Sequence, residues 1–355
     1  MKSRLFALCM LFVLIAALVP GVMAQDNPVC GNLSADDCTA LTTAITNTGT
    51  AGSGAFTLNV SAELQSDDPS QAGKVDVSAD GKFNGFAGAS VEDVTGMQAD
   101  PAAAVAKLTE GLKTFSGELN ITANLPESAA SMTGGQPLVL NMILVDGVGY
   151  LDFSKLPATV GAMTGGKTPT GWAGLDLIDV LTNIGPSLKP STSTSTTSTA
   201  DMAKVQALIV SHLEYTRDGD TFTGNVDLVS LFNDPEFQTL TNMKEITDAQ
   251  NAAIDSLGDA TFQIVFSLDG DKLSELQFTI DLPESTMTAF AAASTSSSSS
   301  KPPKAANISI DLKFSGLGEA QTVTAPEGAP VTKFMELMTA ISEIYKNIAG
   351  GMKAS

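Results

Sequence analysis

Histidine is almost absent from this chain: His212 is the single one among 355 residues. One imidazole excludes a histidine-pair metal site and leaves a single residue for any Ser-His-Asp relay. Its place at the end of an apolar helical stripe suits a helix C-terminus better than a catalytic base. Cysteine is nearly as scarce, with three in all and no C-x-x-C pair, which removes thioredoxin-type chemistry. Cations are few as well: 19 Lys and Arg face 39 Asp and Glu, a formal net charge of −20. A chain of that sign is no reader of a phosphate backbone, so no nucleic-acid partner is expected. No G-x-S-x-G, P-loop or strand-borne G-x-G-x-x-G is present, so nucleotide binding and nucleophile-elbow hydrolysis lack their motifs. No catalytic residue, cofactor or metal is assigned, and the chain is read as not an enzyme. Paired carboxylates of the glycosidase kind are the one chemistry that so many acids leave open.

What is present starts with a leader. Lys2 and Arg4 precede an apolar run from Leu5 to Val19, and Val22-Met23-Ala24 offers a cleavage site before Gln25. Residues 1–24 therefore read as a signal peptide; a retained anchor is the alternative, although the run is shorter than the ~20 residues a span needs. No cysteine follows the cut directly, as a lipid anchor would require. The expected product is exported and soluble after cleavage, in the extracellular, periplasmic or cell-envelope space. Cleavage removes Cys9 and leaves Cys30 and Cys38, an even pair expected to form a disulfide in an oxidising compartment. Ser34-Ala35-Asp36-Asp37 resembles a capping box with Asp in place of Glu, which places a helix just after Ser34 and Cys38 in its first turn.

Beyond a Gly/Thr-rich hinge at 48–54, two-residue alternation dominates. Phe56, Leu58, Val60, Ala62 and Leu64 alternate with polar residues, and the pattern recurs at Val75/Val77/Ala79 and Leu119/Ile121/Ala123/Leu125. It returns at Leu138/Leu140/Met142/Leu144, Phe262/Ile264/Phe266/Leu268, Leu276/Phe278/Ile280/Leu282 and Ile308/Ile310/Leu312/Phe314. Such alternation marks strands with one buried and one wet face. Asp80-Gly81, Asp146-Gly147, Asp218-Gly219 and Asp269-Gly270 sit where runs end, and each predicts a tight hairpin. Helical spacing appears after Pro101 (Val105, Leu108, Leu112, Phe115), at Leu175/Ile178/Leu181, from Met202 to His212, over 236–257, and at Phe334/Leu337/Met338/Ile341/Ile344.

The order predicts an α+β fold: a large curved antiparallel sheet, a half-barrel of about ten or eleven strands, covered on one face by helices. Ser/Thr tracts at 191–200 and 294–304 read as flexible loops. The domain plan is an N-terminal helix and hinge at 25–54, a single domain at 55–330 carrying both tracts, and a C-terminal amphipathic helix and tail at 331–355. A split near 190–200 is the alternative plan.

The inward residues are the candidate site. Leu58, Val60, Val77, Leu119, Ile121, Leu140, Met142, Leu144, Phe262, Ile264, Phe266, Phe278, Ile280, Ile310, Leu312 and Phe314 either fill a solid core or line an apolar cavity between sheet and helices.

Val145-Asp146-Gly147-Val148-Gly149-Tyr150-Leu151-Asp152-Phe153, then Leu156-Pro157, then Gly171-Trp172-Ala173-Gly174-Leu175-Asp176-Leu177, with a later Thr324-Ala325-Pro326, resemble the mycobacterial LppX/LprG-type lipoproteins. Their broader relatives are the LolA/LolB-like lipoprotein carriers. The resemblance implies a half-barrel that holds acyl chains beneath its helices, and hence a soluble carrier or sensor of a lipid or other hydrophobic ligand. Its partners would be a lipid or acylated molecule, with transient contact to a membrane or envelope protein left open. The anchoring cysteine of the LppX type is missing here, and the chain is longer than a single carrier domain. The alternative is a non-catalytic surface or matrix protein with a solid core and Ser/Thr spacer loops.

Overall fold

A computed structural model describes residues 30–68, 72–85, 101–126, 134–156, 170–184, 199–241, 247–293, 303–336 and 338–339. The leader, nearly all of both Ser/Thr tracts and the C-terminal segment past Thr339 lie outside the described residues, together with the expectations that fall on them.

The strands are β1 (Ser53–Gln65), β2 (Gly73–Asn84), β3 (Ser116–Asn124), β4 (Leu138–Val145), β5 (Val148–Asp152), β6 (Trp172–Asp176), β7 (Leu213–Asp218), β8 (Thr221–Val226), β9 (Thr261–Asp269), β10 (Lys272–Leu282), β11 (Ala305–Ser315) and β12 (Val331–Thr332). They form one twelve-stranded sheet in the order β12-β6-β5-β4-β3-β2-β1-β11-β10-β9-β8-β7, one or two strands more than the sequence predicts. The extra strand is the two-residue β12, which pairs parallel to β6 and is too short to show a period. The sheet is open and mostly antiparallel. Helices are α1 (Ala35–Gly49), α2 (Pro101–Thr114), α3 (Leu177–Ile184), α4 (Thr199–Ser211), α5 (Leu228–Asn233), α6 (Pro235–Leu240), α7 (Asp248–Asp255) and α8 (Glu284–Ala293).

The chain divides into two compact units. One comprises the chain up to Thr50, Leu58–Asp76 and Thr194–Phe314; the other comprises Ala51–Thr57, Val77–Ser193 and Ser315–Ser355.

In the first unit α1 begins where the sequence places it. The Ser34 hydroxyl accepts from the Asp37 N–H at 3.2 Å and donates to the Asp37 carboxylate at 2.8 Å. Two carboxylates in the first turn complement the helix dipole. Leu41, Ala44 and Ile45 form its buried stripe, which packs on β9 and β10. The register sets Phe266 opposite Leu276, Ile264 opposite Phe278, and Phe262 opposite Ile280. Side chains directly opposite share a face, so this pairing builds one continuous apolar surface. Ile209 of α4, Leu228 and Leu231 of α5, Phe237 of α6 and Leu257 close over the same core.

Three of the four Asp-Gly pairs are hairpin turns. Asp146 and Gly147 both take positive φ (52° and 75°), as a type I′ turn requires. In the β7–β8 and β9–β10 hairpins Asp218 and Asp269 still pair within the strands, so the central residues are Gly219-Asp220 and Gly270-Asp271. Only the glycine has positive φ there, the II′ pattern. The fourth pair is not a turn: Asp80-Gly81 lies inside β2. A Cβ at Gly81 would stand 2.7 Å from two carbons of the Phe56 ring and 2.8 Å from the Glu118 carbonyl oxygen. The glycine serves a close approach of neighbouring strands, which a reading of dipeptides takes for a turn signal.

The region 236–257, read as helical, is broken: α6 ends at Leu240, α7 starts at Asp248 behind an N-cap at Thr247 that forms a capping box with Gln250, and Ser256–Asp259 form a 3₁₀ turn. Asp-Pro at 234–235 caps and starts α6 separately from α5.

Replacing Gly81 by alanine should lower unfolding free energy by roughly 1–3 kcal/mol, because the Phe56 ring and a neighbouring backbone must both shift. A urea titration with an unchanged slope and a lower midpoint is the expected outcome.

Candidate functional site

Alternation and register sort the sixteen candidate residues onto the apolar face of each unit, and the two faces differ in burial. In the first unit Phe262, Ile264, Phe266, Phe278 and Ile280 are sealed, at 3%, 1%, 0%, 6% and 1% exposure. Side chains lining an empty slot wide enough for an acyl chain would keep accessible surface, so the centre of this face is packed core. Phe262 and Phe278 meet edge to face with ring centroids 4.8 Å apart. Ile310 and Phe314 pack against the core half-buried, Leu312 stands opposite Leu276, and Leu58 and Val60 are also half-buried.

In the second unit no member of the set is sealed. Val77, Leu119, Ile121, Leu140, Met142 and Leu144 are all half-buried. Leu119 stands opposite Met142 and Ile121 opposite Leu140, while Met142 also pairs with Leu151 and Leu144 with Gly149. Leu119, Ile121, Leu140, Met142 and Leu144 therefore share one face of β3 and β4, continued on β5 by Leu151 and Gly149. Over that face lies α3: a Cβ at Gly149 would come 3.3 Å from the Leu177 side chain. Helix α2 packs beside α3 and presents half-buried Val105, Leu108 and Leu112. The Asp176 carboxylate accepts from the Asp179 N–H at 2.9 Å and holds the start of α3. Asp179 in turn accepts from the Phe334 N–H at 2.7 Å, tying the first helical residue after β12 to α3. Tyr150 and Trp172 lie on the opposite face: Tyr150 pairs with Ile143 and its ring covers Gly174, and Trp172 pairs with Asp152.

The wet faces carry the charges. Lys82 bridges Glu118 at 2.8 Å and Asn120 donates to Asp80 at 3.0 Å. Lys313 lies 3.0 Å from Glu275 and 3.4 Å from Asp311. The Gln277 amide, then Lys313, hold the Glu275 carboxyl below its ordinary range, whereas burial and the adjacent Glu275 push Asp311 up. His212 follows α4, its N–H donating to Leu208 and Ile209 carbonyls, and its Nε2 lies 3.6 Å from Asp234. Asp234 caps α6 and Asp227 caps α5. Backbone N–H donors hold Asp234 below its ordinary range, as the Ser230 hydroxyl and N–H do for Asp227. Among the described residues no group of three His, Cys, Asp or Glu is placed to hold a metal ion.

Two structural features have no role assigned from the sequence. Helix α8 follows β10 directly and buries Thr286, whose hydroxyl donates to the Ser256 carbonyl at 2.7 Å. Asp152 is 5% exposed and accepts from Ser154 N–H and hydroxyl at the end of β5. Helix α8 carries no apolar stripe, and Asp152 appears in the sequence only within the stretch that carries the family resemblance.

Cys30 and Cys38 form a disulfide, with Cα atoms 5.1 Å apart, an arrangement compatible with an exported protein. No helix among the described residues is long and apolar enough to cross a membrane.

The depressed carboxyl pKa values fix the sign of the acid response. Asp227 and Asp234 contribute stability above their unfolded values, near 3.9, and that contribution is lost as pH falls through their lower folded values. Asp227→Ala should therefore cost about 1 kcal/mol at neutral pH, and the deficit should shrink in acid; paired urea titrations at both pH values check it.

No protein-family profile matches the chain, and no curated protein matches it either.

Proposed function

We propose that this is an exported, non-catalytic protein that binds a lipid or other acyl-bearing ligand, as a carrier or sensor, on the helix-covered apolar face of β3, β4 and β5. One observation supports the reading above the rest. Leu119, Ile121, Leu140, Met142 and Leu144 keep accessible surface on the face that α3 covers, while Phe262, Ile264, Phe266, Phe278 and Ile280 at the centre of the first unit's face are sealed. Half-buried apolar side chains offer surface that a hydrocarbon chain gains by covering, at about 0.8 kcal/mol per buried CH₂. Methionine at the middle of the face suits a ligand of variable shape, since its unbranched thioether repacks easily. The LppX/LprG and LolA resemblance agrees with this assignment. The net charge of −20 disfavours lasting adhesion to anionic headgroups.

The solid-core reading, a surface or matrix protein, is favoured by the first unit alone, where Phe266 and Ile264 have no accessible surface to offer.

Native mass spectrometry of the purified chain, before and after solvent extraction, should reveal added mass of lipid size, and the extracted protein should take up a fluorescent fatty acid. Met142→Asp sets an unpaired carboxylate on the face and should weaken uptake by about tenfold or more. Ile308→Val, which trims a half-buried residue of the first unit, should leave it unchanged. No co-purifying lipid together with no uptake would rule the proposal out.

A further inference from the structure

The sheet ends on β7, and a free edge of six residues is a template for another strand. The segment between Cys30 and Ser34 covers it. The Asn32 side chain accepts from the Tyr215 N–H at 2.5 Å and donates to the Tyr215 carbonyl at 3.2 Å. One amide thus makes both ladder bonds that a neighbouring residue would make. Since both Tyr215 backbone groups point away from β8, the outward groups of this edge belong to Leu213, Tyr215 and Arg217. Gly31, at φ 43°, lies so close to Leu213 that a Cβ would overlap its carbonyl oxygen. The Arg217 guanidinium pairs with Asp37 in the first turn of α1. The Cys30–Cys38 bond ties the start of this cover to the first turn of α1.

We infer that this loop is a thiol-controlled cover for the sheet edge, and that opening it lets β7 pair antiparallel with β7 of a second copy of this chain. In the opening step the S–S bond breaks. A dithiol reductant supplies two electrons and two protons, two cysteine thiols form, and the reductant leaves as its own disulfide. Cys30 is buried and Cys38 half-buried, so the first attack falls on the Cys38 sulfur. The second copy is the occupant by charge and register. Pairing centred on Tyr215 sets Leu213 against Arg217, Glu214 against Thr216 and Asp218 against His212, with no like charges opposed. The other end of the sheet, β12, has only two residues and offers no comparable ladder.

Hydrogen exchange and sedimentation velocity on the full chain, with and without dithiothreitol, test this. The oxidised chain should be monomeric with a protected Tyr215 amide. Reduction at low protein concentration should speed Tyr215 exchange about tenfold. At high concentration the reduced chain should sediment as a dimer in which Leu213, Tyr215 and Arg217 amides are slow again. Asn32→Ala keeps the disulfide and should produce both changes without reductant. Unchanged Tyr215 exchange in the reduced chain and in Asn32→Ala, a chain that stays monomeric throughout, or a dimer lacking protection at those three amides would each overturn the inference.

Discussion

Side chains two residues apart along a strand lie on the same face of this sheet. Because successive side chains point to opposite faces, a run such as Phe262/Ile264/Phe266 or Leu119/Ile121 commits a whole face of the sheet to leaving water. Antiparallel register then multiplies the commitment, since Ile264 opposite Phe278 and Phe278 opposite Ile310 carry it from β9 to β11 without a polar break. The helices exist to cover that face, and none of the described ones carries enough apolar surface to stand alone.

The two units meet the constraint in different ways. In the first, α1 arrives early in the chain, is fixed at its start by Ser34 and the disulfide, and brings Leu41, Ala44 and Ile45 flat against β9 and β10. Short helices and a 3₁₀ turn fill the margin, and Phe222 and Phe266 lose all exposure. In the second, α3 has eight residues and α2 packs against it. The face beneath α3 stays half-buried along the whole of β4. The proposed ligand site rests on this difference between the sealed centre of β9–β10 and the half-buried face of β3, β4 and β5.

Much of this is legible in the sequence because period and capping are local. The seven alternating runs are strands, Ser34 caps α1, and the hairpins at Asp146, Asp218 and Asp269 fall where the dipeptides place them. Asp80-Gly81 shows the limit. The same two letters serve a turn elsewhere and here serve a strand crossing Phe56, a choice made by a neighbour distant in sequence. Helix α8, with its run of alanines and threonines, has no stripe to announce it, and Asn32 looks like any loop asparagine until β7 is beside it. The sixteen inward residues are legible as a set. Which of them are sealed depends on how many helices land on each part of the face, and that is decided by tertiary packing.

A ligand at the proposed site covers the apolar face of β3, β4 and β5 and leaves the β9–β10 face untouched. Methyl-labelled NMR during a fatty-acid titration distinguishes the two faces, with Leu, Ile and Met side chains observed together. Shifts should concentrate in Leu119, Ile121, Leu140, Met142 and Leu144, with Ile264 and Ile280 unmoved. Shifts centred on Ile264 and Ile280, or none in either set at saturating ligand, would contradict the proposed site.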